Sequence, residues 1–202
     1  MALNIQATLL SLEEKKVLSE LLAPTSTGVG GVPSAVAGSV GVAEQGSSGA
    51  RTTVLTLNGM PLTVRDTQQG GGVKIYTFPL GKIFRLGASA ENIVITTTSD
   101  VTTTLNTAVT GNFGVGSTTQ ASATLATTEQ DIVQVTAFTS SATTGTPPAA
   151  VRAYGIPSVT LLDGSATAID VFFNVAVASA TDIDADATVS VSGIVTINWI
   201  RV

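Results

Sequence analysis

Cysteine and histidine are both missing from this chain. Without cysteine there is no disulfide, no thiolate nucleophile and no cysteine-ligated zinc. Without histidine there is no Ser-His-Asp or Cys-His triad, no HExxH zinc site and no ordinary general base near neutral pH. Charge is scarce too: Asp, Glu, Lys and Arg make up 11% of the residues, and the formal net charge is −5. The nine Lys and Arg are scattered along the chain, so it is a poor electrostatic partner for DNA or RNA. Aromatic residues are only 4%, with one Trp and two Tyr, which leaves few stacking platforms for a sugar ring. No apolar run approaches the roughly 18 residues that span a bilayer. The start, MALNIQATLLSLEEKK, has no basic n-region and meets two glutamates where a signal peptide stays apolar. The expectation is a non-secreted, non-membrane protein.

Thr, Ser, Ala, Val and Gly dominate instead, a composition suited to strands and turns. The 202 residues accommodate one domain of about 150 residues and an extension. Residues 1–50 differ from the rest and are expected to form an N-terminal arm. SLEEKKVLSELLAP predicts a helix over about 11–22, with Ser11 and Glu14 as a capping box and Pro24 as its stop. Val17, Leu18, Leu21 and Leu22 share one side of it and are candidate partner contacts. Three turns are too short to stand alone in water, so that side must lie against this domain, a neighbouring copy or another protein. Residues 24–50 are rich in Gly and Ser and read as a flexible linker, or as an arm that orders on a neighbouring subunit. Val29, Val32, Val36, Val40 and Val42 are unusual in a purely solvated linker.

From Arg51 onward the pattern is strand after strand. Asn58-Gly59 predicts a hairpin between two short strands. Strands are expected near 73–78 and 80–86, broken by Pro79 and Gly81, then in ENIVITTT and ASATLATT. Residues 139–150, TSSATTGTPPAA, read as a low-complexity surface loop. Ile169, Val171, Phe173, Val175 and Val177 alternate with Asp170, Asn174 and Ala176. Val189, Val191, Val195, Ile197 and Trp199 alternate with Thr188, Ser190, Ser192, Thr196 and Asn198. Such period-two patterns mark half-buried antiparallel strands, and many of them imply a sandwich or barrel. The last two strands are expected to form a hairpin. Phe172, Ile194 and Ile200 interrupt its polar side and are candidate partner contacts in one outward patch. Trp199, on the apolar side, is expected in the core.

Asp182, Asp184 and Asp186 resemble the start of a calcium loop. An EF-hand requires Gly at its sixth position and Glu at its twelfth, where this chain has Ala187 and Gly193. The aspartates are therefore expected to form a turn, with an opportunistic metal site as the weaker alternative. GNFGVG and GGG lack the residues of a phosphate loop or dinucleotide fingerprint. Glu129 and Asp131 are paired carboxylates of the kind glycosidases use, but in a Thr-rich segment a solvated or turn role is expected. Lys82 and Arg85 flank Phe84, too few cations for a nucleic-acid patch. These residues carry no assembled catalytic site and no cofactor site.

Three blocks carry a resemblance: KIYTFPLGKIFRLGASAENIVIT, FGVGSTTQASATLATTEQDIV and LLDGSATAIDVFFNVAVASATDIDADATVSVSGIVTINWI. In order and spacing they are similar to tailed-bacteriophage capsid decoration, or cement, proteins. The resemblance covers about residues 51–202 and leaves the first 50 uncovered. It implies an all-β, jelly-roll-like antiparallel sandwich, here with a short N-terminal helix and extended arm. It also implies a homotrimer on the outer surface of the virion head, clamping neighbouring major capsid protein subunits, with no enzyme activity, cofactor, nucleic-acid or membrane partner. The competing expectation is a trimeric virion fibre or receptor/glycan-binding head.

Overall fold

The computed structural model describes residues 30–46, 50–97, 109–140, 150–155, 159–178, 183 and 185–202. They form an all-β sandwich of two antiparallel sheets. The strands are β1 (Val40–Gly46), β2 (Ala50–Val64), β3 (Gly70–Thr77), β4 (Gly81–Thr97), β5 (Thr110–Gly116), β6 (Val133–Thr139), β7 (Val151–Tyr154), β8 (Thr160–Gly164), β9 (Asp170–Val177) and β10 (Ala187–Arg201). The larger sheet has the order β1-β2-β10-β4-β7, and β8 pairs with the first residues of β4, in line with β7. The smaller sheet has the order β3-β9-β5-β6. From β2 to β5 the chain changes sheet at every step, and it does so again from β8 to β10.

Alternation puts one side of each strand in the core. Along β10 the odd positions Val189, Val191, Val195, Ile197 and Trp199 are buried, as the sequence pattern predicts. Along β9, Val171, Phe173, Val175 and Val177 meet them from the other layer. Phe113 and Phe173 stack with ring centroids 5.5 Å apart. At one end Phe78 lies edge-on to both Trp199 and Tyr76, at 5.5 and 5.4 Å. Trp199 is fully buried, and its indole N–H donates to Thr53 Oγ1 at 2.9 Å, which removes the desolvation cost of that polar tip.

The expected hairpin at Asn58-Gly59 is absent: β2 runs straight through it. A two-residue type I′ turn needs positive φ at both central residues. Only Gly59 has it (φ 62), and Asn58 with Gly59 sits opposite the single residue Ser192. The pair is a β-bulge instead, with the Gly59 amide donating to Ser192 Oγ at 3.0 Å. Gly193 (φ 143) and Asn92 (φ 53) continue this irregularity into β10 and β4, so the bulges form a row across three long strands. Extra residues at one level increase the local twist, which lets strands of 15–17 residues coil over a smaller partner sheet.

Three other expectations change. The linker expected over 24–50 contains β1, paired with β2 in seven-residue register, and Val36 and Val40 are core residues. Gly31 pairs with Thr77 as well, so the sandwich begins well before Arg51. Of the valines unusual in a solvated linker, Val36 and Val40 are buried, Val32 packs against the core, Val42 is an exposed position of β1, and Val29 lies outside the described residues. The segment ASATLATT is a loop ending in a 3-10 turn at Thr127–Glu129. Finally, β9 and β10 are not a hairpin, because they belong to opposite sheets and the chain between them crosses from one layer to the other. Each strand's inner side faces the other across the core, a geometry that gives the same alternation as side-by-side pairing. The expected helix over 11–22, with Val17, Leu18, Leu21 and Leu22, lies outside the described residues.

Both edges of the sandwich carry links between layers. Arg65 and Gly70 bridge where β2 turns into β3, with Arg65 N donating to Gly70 O at 2.8 Å. On the opposite edge Val133 bridges Gly155, whose amide donates to Ala88 O at 2.7 Å. A Cβ at Gly155 would lie 2.8 Å from backbone atoms of both Ala88 and Ile132.

Candidate interaction surface

The outer sides of the two sheets differ. On the smaller sheet the loop from Ser117 to Asp131 lies over β9, β5 and the start of β3, and its polar groups are engaged in holding it there. Asn174 and Ala176, which alternation assigns to the outside, are 0% and 2% exposed. The Asn174 side-chain oxygen accepts from Gln120 N at 2.9 Å. Its amide nitrogen donates to Thr118 O at 2.9 Å and Glu129 O at 2.8 Å. Glu129 is buried and accepts from the amides of Ala121 at 2.9 Å and Ala126 at 2.7 Å. Asp131 accepts from the amide and hydroxyl of Ser117 at 2.8 and 2.7 Å. Burial pushes the Asp131 carboxyl up, against the opposing pull of the Ser117 hydrogen bonds and the Arg85 charge. The two carboxylates are thus loop anchors: a turn role, as expected, with Glu129 buried and Asp131 half-buried rather than solvated.

This arrangement explains the GGG run. A Cβ at Gly70 would lie 2.3 Å from Gln120 Nε2, one at Gly71 1.8 Å from Thr63 O, and one at Gly72 2.2 Å from Asn174 Oδ1. The glycines let the loop and β2 settle directly on the β3 backbone. No phosphate cradle is involved.

The larger sheet keeps its outer side accessible. Ser190, Ser192, Ile194, Thr196 and Ile200 are half-buried there, and Asn198 is exposed. Ile200 stands between Ala50 on β2 and Phe84 on β4, and Phe84 pairs in turn with Leu161 on β8. Ile200, Phe84 and Leu161 therefore form an apolar row crossing three strands, with Leu161 46% exposed. Exposed Leu86 lies on the same side of β4 as Phe84, and exposed Leu80, Val159 and Val202 adjoin the ends of β4, β8 and β10. Lys82 and Asp163 flank the row as an exposed pair at 3.9 Å, and Thr52 donates to Asn198 at 2.7 Å beside it. Hydrogen bonds from the Ser165 hydroxyl and amide hold the Asp163 carboxyl below its ordinary range, with Lys82 adding to the effect.

The sequence-predicted contacts are only partly brought together. Ile194 lies on the same outer side as Ile200, between Thr56 and Glu91, but six residues away, about 20 Å at strand spacing. Phe172 lies on the opposite outer side of the sandwich, between Lys74 and Gly116. It cannot share a patch with the other two, because its strand is in the other sheet. Phe84 and Leu161 complete the row around Ile200 and were not singled out from the sequence. The signal was present for Phe84, since alternation in KIFRL places Ile83 and Arg85 inward and Phe84 outward. Arg85 is accordingly buried, donating to Thr160 Oγ1 at 2.8 Å, so it and Lys82 do not flank a common phosphate site. Burial pulls the Arg85 guanidinium down, while Asp131 opposes the shift.

Asp182 and Asp184 lie outside the described residues. Asp186 accepts from the Asp66 amide at 3.0 Å, a long-range contact to the 3-10 turn Asp66–Gln68 between β2 and β3. Among the described residues there is no group of three or more His, Cys, Asp or Glu placed to hold a metal. No helix among them is long and apolar enough to cross a membrane. No family model, curated protein or solved structure matches the chain.

Proposed function

We propose that this chain is a non-catalytic adhesive module, a decoration or cement protein of a tailed-bacteriophage head. In this reading it is a homotrimer on the outer capsid surface, made in the host cytoplasm, that clamps neighbouring major capsid protein subunits. The observation that carries it is the Phe84–Leu161–Ile200 row on the accessible side of the larger sheet. Contiguous exposed apolar surface marks contact sites, and a row on paired strands is held rigid before binding. The jelly-roll reading is supported by the orders β2-β10-β4-β7 and β3-β9-β5-β6, in which the chain weaves between layers as interlocked Greek keys do. In this arrangement β1 extends one edge, and β7 with β8 shares one position beside β4.

The engagement of Glu129 and Asp131 as loop anchors supports a role without acid-base catalysis. Joining three such faces in a trimer raises avidity by roughly 10²–10⁴ over a single contact where all engage together. Preference for the assembled lattice then stabilises the shell by linkage. The N-terminal segment with Val17, Leu18, Leu21 and Leu22 is assigned to the capsid or to an adjacent protomer. Imaging of native particles tests the reading: density spread over the head supports it. Density confined to the tail or vertices would favour a fibre or receptor-binding head instead.

A further inference from the structure

A polar recess of about 410 Å3 lies away from the apolar row, where β2 turns into β3 and the 117–131 loop comes down beside them. Its polar lining is Thr63, Arg65, Gln68, Thr119 and Gln120, with Pro61 and Val73 as apolar surface. Small-molecule sites occupy about 300–1,000 Å3 and combine an apolar lining with a few convergent polar groups. We infer that this recess binds a sugar carrying a carboxylate.

Three features select that class. Arg65 is exposed and makes no ion pair among the described residues, and no acidic side chain lines the recess. A guanidinium without a competing carboxylate favours an anion that its planar fork can hold through two hydrogen bonds. Gln120 is 3% exposed, and its side-chain nitrogen is used by the carbonyls of Gln68 and Ser122. Its Oε1 has no accessible surface, so Gln120 acts through its fixed position, holding the 117–131 loop as one wall of the recess. Thr63 and Thr119 add hydroxyls that both donate and accept, matching the same property in a sugar. Pro61 and Val73 offer the ring an apolar surface in place of an aromatic platform. The glycines at 71 and 72 keep that part of β3 bare and hold the loop close.

Calorimetric titration of the full chain with 3′-sialyllactose and tri-galacturonate, against lactose and tri-galactose as neutral counterparts, tests the inference. At least one acidic sugar is expected to bind ten times more tightly than its neutral counterpart. Arg65→Met should weaken that binding at least tenfold, and Thr119→Val about threefold, with amide NMR shifts at Gly71, Gly72 and Gln120 on binding. Both substitutions are at exposed positions and leave the core intact. No binding of either acidic sugar, equal binding of the neutral ones, or unchanged binding by Arg65→Met would overturn it. So would displacement by a poly-glutamate peptide at equal carboxylate concentration, which would identify a site for any carboxylate. Phage heads play no part in this titration, so its outcome is independent of the decoration reading.

Discussion

Asn174 and Asn198 occupy equivalent places, each at an outward position of a central strand. The first is fully buried under a loop and makes three hydrogen bonds, whereas the second is exposed and, among the described residues, its side chain meets the Thr52 hydroxyl across the strand. One sheet thus uses its outer side to hold its own chain, and the other leaves that side free for something else. The difference does not come from strand patterning, which is alike in β9 and β10. It comes from a loop with enough internal acceptors and donors to satisfy its backbone while lying flat.

The largest effect that would sharpen this contrast comes from truncation. Removing residues 1–50 deletes β1 and the core residues Val36 and Val40. Full burial of each valine contributes about 1.5–3 kcal/mol, so the loss in urea titration should reach about 4 kcal/mol. Unchanged stability would return those residues to the status of a separate arm. Next in size, Asn174→Ala leaves up to three buried partners unsatisfied and should cost about 3 kcal/mol, while Asn198→Ala should stay within about 0.5 kcal/mol. Hydrogen exchange at Gln120 and Ala121 should accelerate only in the first variant. Equal costs would erase the distinction between the two outer sides.

A smaller stability effect, below about 1 kcal/mol, is expected for Leu161→Asp combined with Ile200→Asp, because both positions already meet solvent. The same double variant should lose self-association by light scattering and head binding by co-sedimentation. A stable trimer that still coats heads would remove the apolar row from the proposal. The last variant, Tyr76→Phe, is read at alkaline pH. Burial, and then the hydrogen bond to Glu44, raises the Tyr76 phenol above its ordinary value of 10. A raised folded-state pKa contributes stability that is complete below pH 10 and is lost as pH rises through the folded value. Alkaline denaturation followed by tyrosinate absorbance should therefore show a late step that vanishes in Tyr76→Phe. A Tyr76 signal appearing near pH 10 with the fold intact would contradict the burial argument.

Much of the sandwich was legible because alternation is local. The inward sides of β9 and β10, the core position of Trp199 and the breaks at Pro79 and Gly81 all follow from neighbours two residues apart. Sheet membership was not legible, since alternation says which side of a strand is buried but not which strand lies beside it. That is why β9 and β10 read as a hairpin, and why Phe172 was grouped with Ile194 and Ile200. Asn58-Gly59 misled for a related reason: one positive φ makes a bulge and two make a turn, and the dipeptide permits either. The GGG run carried no recognisable signal, because its role depends on a loop some fifty residues away in sequence, and Gln120 carried none because its partners Gln68 and Asn174 lie equally far from it.

The bridges Arg65–Gly70 and Val133–Gly155 have a mechanical consequence. Two stacked sheets joined only by greasy contacts can slip past one another under tangential load, since such contacts have little directionality. Stitched along both margins by backbone hydrogen bonds, the layers resist shear as the walls of a box do. A pull on one face is carried to the other, and the weak point becomes Gly155, where any side chain would pry the margin open.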